Sequence, residues 1–114
     1  MIRRAREMAG EVRERMRGGM GRVELCHLEK ESLPGNARLF AKLTLEPGCS
    51  IGEHEHIGEA EMFYFISGCG VVTDDGERIP VRAGDSMTTL GGHRHSVENT
   101  GEEALAIVAV IVRE

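Results

Sequence analysis

Residues 48–68 read GCSIGEHEHIGEAEMFYFISG, and the fold turns on how this stretch is parsed. His54 and His56 alternate with Glu53 and Glu55, so in an extended chain both histidines leave one face and the glutamates leave the other. The Gly58 bend then returns the chain into Glu61 and the apolar run Met62–Ile66, which ends at Ser67-Gly68. Two short strands joined by a turn account for this pattern; a helix does not.

Working outward, the same grammar recurs. Short apolar runs alternate with turn signals at Pro34-Gly35, Pro47-Gly48, Asp75-Gly76, Ala83-Gly84-Asp85, Gly91-Gly92 and Asn99-Thr100-Gly101. Regular punctuation of this kind indicates an all-β sandwich or barrel. Residues 37–45 place Ala37, Leu39, Ala41, Leu43 and Leu45 on one face and Arg38, Phe40, Lys42 and Thr44 on the other, which is wetter or lines a polar cavity. Asp75-Gly76 predicts a tight hairpin between Val71-Val72 and Ile79-Pro80-Val81. Residues 104–112 are apolar on both faces and read as a strand buried on both sides. The run Met62–Ile66 is apolar at every position, so its outward face needs a cover, either a second copy of the chain or the N-terminal segment.

That segment, residues 1–22, carries seven of the fourteen Lys and Arg residues. Ile2, Ala5, Ala9, Val12 and Met16 recur at intervals of three and four, which suits a short amphipathic helix, with an extended course around Val12 as the alternative. It closes on Gly18-Gly19-Met20-Gly21, a break before the main domain at 23–114. An anion-binding or nucleic-acid arm is one reading; packing on the barrel or on a partner is preferred.

Length and composition set outer bounds. The 114 residues suit one domain, and 40 % apolar with 29 % charged residues is a globular balance. The formal charge of −5 argues against nucleic acid as main partner, and no apolar run approaches membrane-spanning length. Met1–Arg6 is basic without a signal-like apolar stretch, so a cytoplasmic location is expected. Three cysteines without C-x-x-C spacing indicate neither a disulfide framework nor a thiolate zinc site.

An H-x-H pair alone is a weak signal, because such pairs often sit on solvated strands. In extended backbone, however, α-carbons two residues apart lie about 6.5–7 Å from each other, close enough for two imidazoles to share an ion, with Glu61 as an added hard donor. Gly48, His54, His56, Glu61 and Gly68 stand as G-x5-H-x-H-x4-E-x6-G, which resembles the first motif of the cupin superfamily. Gly84, Gly92, His95 and Asn99 stand as G-x7-G-x2-H-x3-N, similar to the second; only the usual proline is replaced, by Leu90.

The resemblance implies a double-stranded β-helix, a jelly-roll-like barrel with a short N-terminal extension. It also implies that His54, His56, Glu61 and His95 ligate one divalent metal. Nitrogen and oxygen donors without thiolate suit Mn, Fe, Ni, Co or Zn, and two open coordination positions would take a small carboxylate, keto or sugar-like compound. Phe63 and Phe65, which share the parity of Glu61, are expected pocket walls, with Phe40, Met87 and Val97 as further candidates. Family activities include dioxygenases, decarboxylases and isomerases as well as non-enzymatic sensors, so both an enzyme, which is favoured, and a metabolite-binding module stay open. Tyr64, His93, Arg38 and Lys42 are the groups that could act as a base. Oxalate decarboxylases of the superfamily carry an arginine shortly before the first ligand; Cys49–Glu53 has none, which weakens an oxalate assignment. Glu53, Glu55 and Glu59 read as solvated charges, His93 as a loop residue at the cavity mouth, and Asn99 as a turn cap. A homodimer is expected.

Overall fold

The computed structural model describes residues 1–114. Ten strands form two antiparallel sheets: β1 (Ala9–Glu14), β2 (Arg22–Glu29), β3 (Ala37–Leu45), β4 (Ser50–Glu55), β5 (Glu59–Ser67), β6 (Cys69–Asp74), β7 (Glu77–Arg82), β8 (Ser86–Thr89), β9 (Arg94–Glu98) and β10 (Leu105–Arg113). The larger sheet runs β1-β2-β3-β10-β5-β8 and the smaller β4-β9-β6-β7. This is the expected all-β jelly-roll arrangement.

Strand alternation builds the core. Across the larger sheet Leu25, Leu43, Ile107 and Phe65 stand in one row of paired residues, and Val23, Leu45 and Leu105 in the next. Across the smaller sheet Ile51, Val97, Val72 and Ile79 stand in register. The rows meet in one hydrophobic cluster whose members, such as Phe65, Leu45 and Ile107, are fully buried. The hairpin at Asp75-Gly76 forms as predicted, with φ of 48° and 87° at its two turn residues and Asp74 opposite Glu77. Pro80, which has no N–H to donate, is accommodated because β7 is an edge strand.

Two expectations change. The N-terminal segment is not an amphipathic helix: it holds a 3₁₀ turn at Ala5–Glu7 and then β1, which pairs in full register with β2 from Ala9↔His27 to Glu14↔Arg22. A lone helix of this length, interrupted by Gly10, has little stability, whereas the open edge of β2 offers β1 a ladder of backbone hydrogen bonds at alternate residues. The segment therefore cannot cover Met62–Ile66, since three strands separate β1 from β5. Met62, Tyr64 and Ile66 stay 41–52 % exposed on the outer face. Likewise β10 is buried on only one side. Leu105, Ile107, Ala109 and Ile111 face the core, while the intervening residues are half-covered by the flanking strands alone.

Candidate metal centre

The site lies one row beyond the core, where the two sheets part. On β9, His95 stands two residues before Val97 and so shares its inward face. On β4 the inward residues are Ile51 and His54, three apart, which simple alternation forbids. A β-bulge resolves this, because Ile51 pairs with Val97 and His54 with His95, so β4 spends one extra residue at Gly52-Glu53. The bulge turns His54 inward and leaves the Gly52 carbonyl to accept its Nδ1–H at 2.8 Å. His56, just past β4, is clamped through its backbone: its N–H donates to His93 O at 3.1 Å and its carbonyl accepts from Gly92 N at 2.7 Å. Glu61 enters from the opposite sheet, paired with Ile111 and Thr89.

These placements converge four donor atoms. His95 Nε2 lies 3.0 Å from His56 Nε2, 3.2 Å from His54 Nε2 and 3.1 Å from Glu61 Oε1, and His56 Nε2 lies 3.0 Å from the same carboxylate oxygen. All four ligand atoms fall within 4.8 Å of one another, and His56, Glu61 and His95 are buried. Each imidazole has its other nitrogen engaged: His54 by Gly52 O, His56 by Glu59 Oε1 at 3.2 Å, and His95 by Thr89 Oγ1 at 2.7 Å. In neutral rings with Nδ1 donating, the Nε2 lone pairs face each other and the Glu61 carboxylate, unless a proton on His56 Nε2 bonds to Glu61. A cation relieves that repulsion, and adjacent donors about 2.1 Å from a central ion are about 3.0 Å apart, so the residues fit a divalent metal.

Burial pushes the His54 imidazole below its ordinary pKa, with the neighbouring His95 and His56 adding to the effect. The His56 imidazole is raised, chiefly by its hydrogen bond with Glu61 against the pull of burial. For Glu61 burial is the largest influence and acts upward, yet the hydrogen bonds with His56 and His95 outweigh it and the carboxyl is lowered.

Beside the donors lies a small cavity of about 60 Å³. Phe63 forms part of its wall and stacks on His95 with ring centroids 5.2 Å apart, and Val97, Leu43 and Ile51 also line it. The other suggested wall residues lie elsewhere. Phe65 is fully buried within the core, Phe40 is 38 % exposed on the outer face, and Met87 packs against the core without reaching the cavity.

Three arginines border this cavity: Arg38, expected near it, and Arg13 and Arg17, for which the sequence gives no signal. Arg38 sits at a bulge, skipped between Leu39↔Ile111 and Ala37↔Val112. Its guanidinium donates to both oxygens of Glu59 at 2.7 Å, and this pairing, opposed by burial, is the main reason the Glu59 carboxyl drops to about 2. Glu59 is thus a link between Arg38 and His56, one of the four converging donors, not a solvated charge. Its shared parity with Glu61 on β5 is the signal that would have found it. His93 is a loop residue as expected, but it points to Asp75, 2.5 Å away, and not into the cavity. Asn99 caps its turn: Oδ1 accepts from Gly101 N, and Nδ2 donates to Leu45 O and Glu103 O. Cys26, Cys49 and Cys69 are unpaired.

The family model for the cupin domain matches residues 41–111, which include all four donors. The chain belongs to the cupin family. Among cupins of known sequence, it is 46 % identical to the oxalate-binding protein of Thermotoga maritima over 113 residues, spanning 98 % of this chain and 93 % of that one. A Thermotoga maritima crystal structure described as a predicted oxalate decarboxylase superposes with a TM-score of 0.94 at 44 % identity over the full length of both chains. The cupin domain of Schizosaccharomyces pombe Cnp3 shares the fold, with a TM-score of 0.75 at 13 % identity over 91 % of this cupin and 69 % of that chain. No helix is long and apolar enough to cross a membrane.

Proposed function

We propose that this cupin binds a small carboxylate compound on a single divalent transition metal held by His54, His56, Glu61 and His95, and that oxalate is the first compound to test. The observation that carries this reading is the donor quartet gathered around His95 Nε2, opening into a small cavity ringed by arginines. Three neutral nitrogens and one carboxylate leave a divalent ion about one positive charge and, in six-coordinate geometry, two open positions. Anionic oxygen donors suit such an ion beside guanidinium groups. The small volume favours a compact acid over a sugar. The missing arginine within β4 carries less weight once three others are found at the cavity, and the name of the Thermotoga maritima relative points the same way. Mn, Fe, Ni, Co and Zn all suit the donor set.

Binding without turnover is favoured over catalysis by what the cavity wall contains. Tyr64 and Lys42 lie exposed on the outer face, His93 is engaged by Asp75, and Arg38 is always charged and tied to Glu59. No acid or base beyond the donors themselves is therefore offered to a bound ligand. The enzymatic reading, of dioxygenase, decarboxylase or isomerase type, rests on the two open coordination positions and on the description of the Thermotoga maritima structure. Calorimetric titration of metal-loaded protein with oxalate, with carbon dioxide and formate followed in the same samples, separates the two. One equivalent bound without product is expected; product formation would favour the enzyme, and absence of both binding and product would overturn both readings.

A second copy of the chain is proposed as the cover for the exposed Phe40, Met62, Tyr64 and Ile66 on the outer sheet face. Sedimentation equilibrium should give a dimer, and Tyr64→Glu should shift it to monomer.

A further inference from the structure

Two of the three arginines at the cavity are already committed. Arg13 donates to Glu11 at 2.6 Å and Arg38 to Glu59 at 2.7 Å. Arg17 makes no side-chain hydrogen bond and no ion pair; it is an exposed, unneutralised cation at the cavity edge.

The backbone holding Arg17 is costly to form. Arg15 and Arg17 adopt left-handed conformations with φ of 48° and 55°, disfavoured for a residue with a Cβ because it crowds the following carbonyl oxygen. Such conformations persist where the surroundings impose them, and they gather at ligand clamps. Here β4 imposes them. A Cβ on Gly52 would collide with the Arg17 carbonyl, and one on Gly19 would collide with the Ser50 carbonyl, so the two backbones touch with glycine on each side. Ser50 N–H donates to Met20 O at 2.9 Å, Met20 N–H to Ser50 Oγ at 2.8 Å, and Arg15 N–H to Gly21 O at 2.8 Å. Gly52 is also the residue whose carbonyl orients His54. One bulged glycine therefore fixes both the first imidazole and the loop that carries Arg17.

We infer that Arg17 is a specificity-determining residue: it pairs with the far carboxylate of a ligand whose near oxygens lie at the metal position, and so selects dicarboxylates such as oxalate over acetate-like monocarboxylates. This rests on the reading of the cavity as an anion-binding metal site. A guanidinium presents parallel N–H donors that match a carboxylate, and its charge at the rim is left unmet by the chain itself.

The test uses full-length protein loaded with one metal equivalent, titrated calorimetrically with oxalate and with acetate. Arg17→Gln should weaken oxalate by about ten- to hundredfold, the effect of losing a charged hydrogen-bonding partner, while acetate changes by less than about twofold. Arg17→Gly relieves the left-handed backbone, so it should lose oxalate equally while its melting temperature holds or rises. Arg17→Lys, which keeps the charge without the fork, should fall between wild type and Arg17→Gln. Wild type that binds oxalate while Arg17→Gln binds it within about twofold overturns the inference and leaves the proposed function standing. Metal-loaded wild type that takes up no oxalate overturns both.

Discussion

Replacing Thr89 by Val removes one hydroxyl that is 2.7 Å from His95 Nδ1, at a place where both residues are only 1 % exposed. Valine keeps the volume and β-branching, so neither a cavity nor a strand-propensity change accompanies the loss. What remains is a buried imidazole N–H without an acceptor, which costs about 1–3 kcal/mol. Metal affinity responds separately. Thr89 holds His95 in the tautomer that bares Nε2, and loss of such a partner lowers metal affinity by about 10- to 100-fold. Competition against a chelator of known affinity measures that drop, and urea denaturation of the apoprotein measures the first effect. Thr89→Ser, which keeps the hydroxyl, should recover most of the metal affinity. If Thr89→Val bound metal as tightly as wild type, His95 would not be oriented in the way the hydrogen bond implies.

Glu59→Gln should weaken metal binding by about tenfold, because His56 Nδ1 loses its carboxylate partner, and should cost about 1 kcal/mol or less in stability, since the Arg38 pair it breaks is 42 % exposed on the arginine side; chelator competition and urea melts read both. Gly52→Ala should destabilise the fold by about 1–3 kcal/mol and detach the Arg17 loop from β4, visible as faster amide exchange at residues 16–21. Glu11, lowered to about 2 chiefly by its hydrogen bond with His27 and further by Arg13, is depressed below its usual value of 4.5. Its contribution is therefore complete above about pH 4.5 and lost as pH falls through about 2. The stability gap between wild-type and Glu11→Gln apoprotein should close across that window in urea titrations.

Much of this was written in local patterns. The alternation at 37–45 needed only strand geometry to sort Leu43 inward and Lys42 outward, and Asp75-Gly76 needed only the positive φ that its turn adopts. The donor quartet was expected from the likeness of two stretches to the cupin motifs, since an H-x-H pair alone is a weak signal, and the fold brings those four residues together. The N-terminal strand was legible only as the alternative, an extended course around Val12, since the three-to-four spacing of its apolar residues matches a helix and only the open edge of β2 decides against it. The side from which His54 enters the site was not legible: alternation relates it to His56 but not to Ile51, and the bulge at Gly52 is a tertiary fact. Arg17 could not be placed by any local rule, because its position depends on contact between two glycine backbones thirty-three residues apart. The aromatic walls failed for a related reason. Parity puts Phe63 and Phe65 on one face, but only depth separates the residue beside the cavity from the one sealed in the core.

The most direct measurement is elemental analysis of the purified protein alongside His95→Ala, after both are dialysed against the same divalent metal. His95 Nε2 lies within 3.2 Å of the other three donors, so its loss should take metal from one equivalent per chain to near zero while the β-sheet circular dichroism is kept. A full equivalent retained by folded His95→Ala would contradict the metal centre.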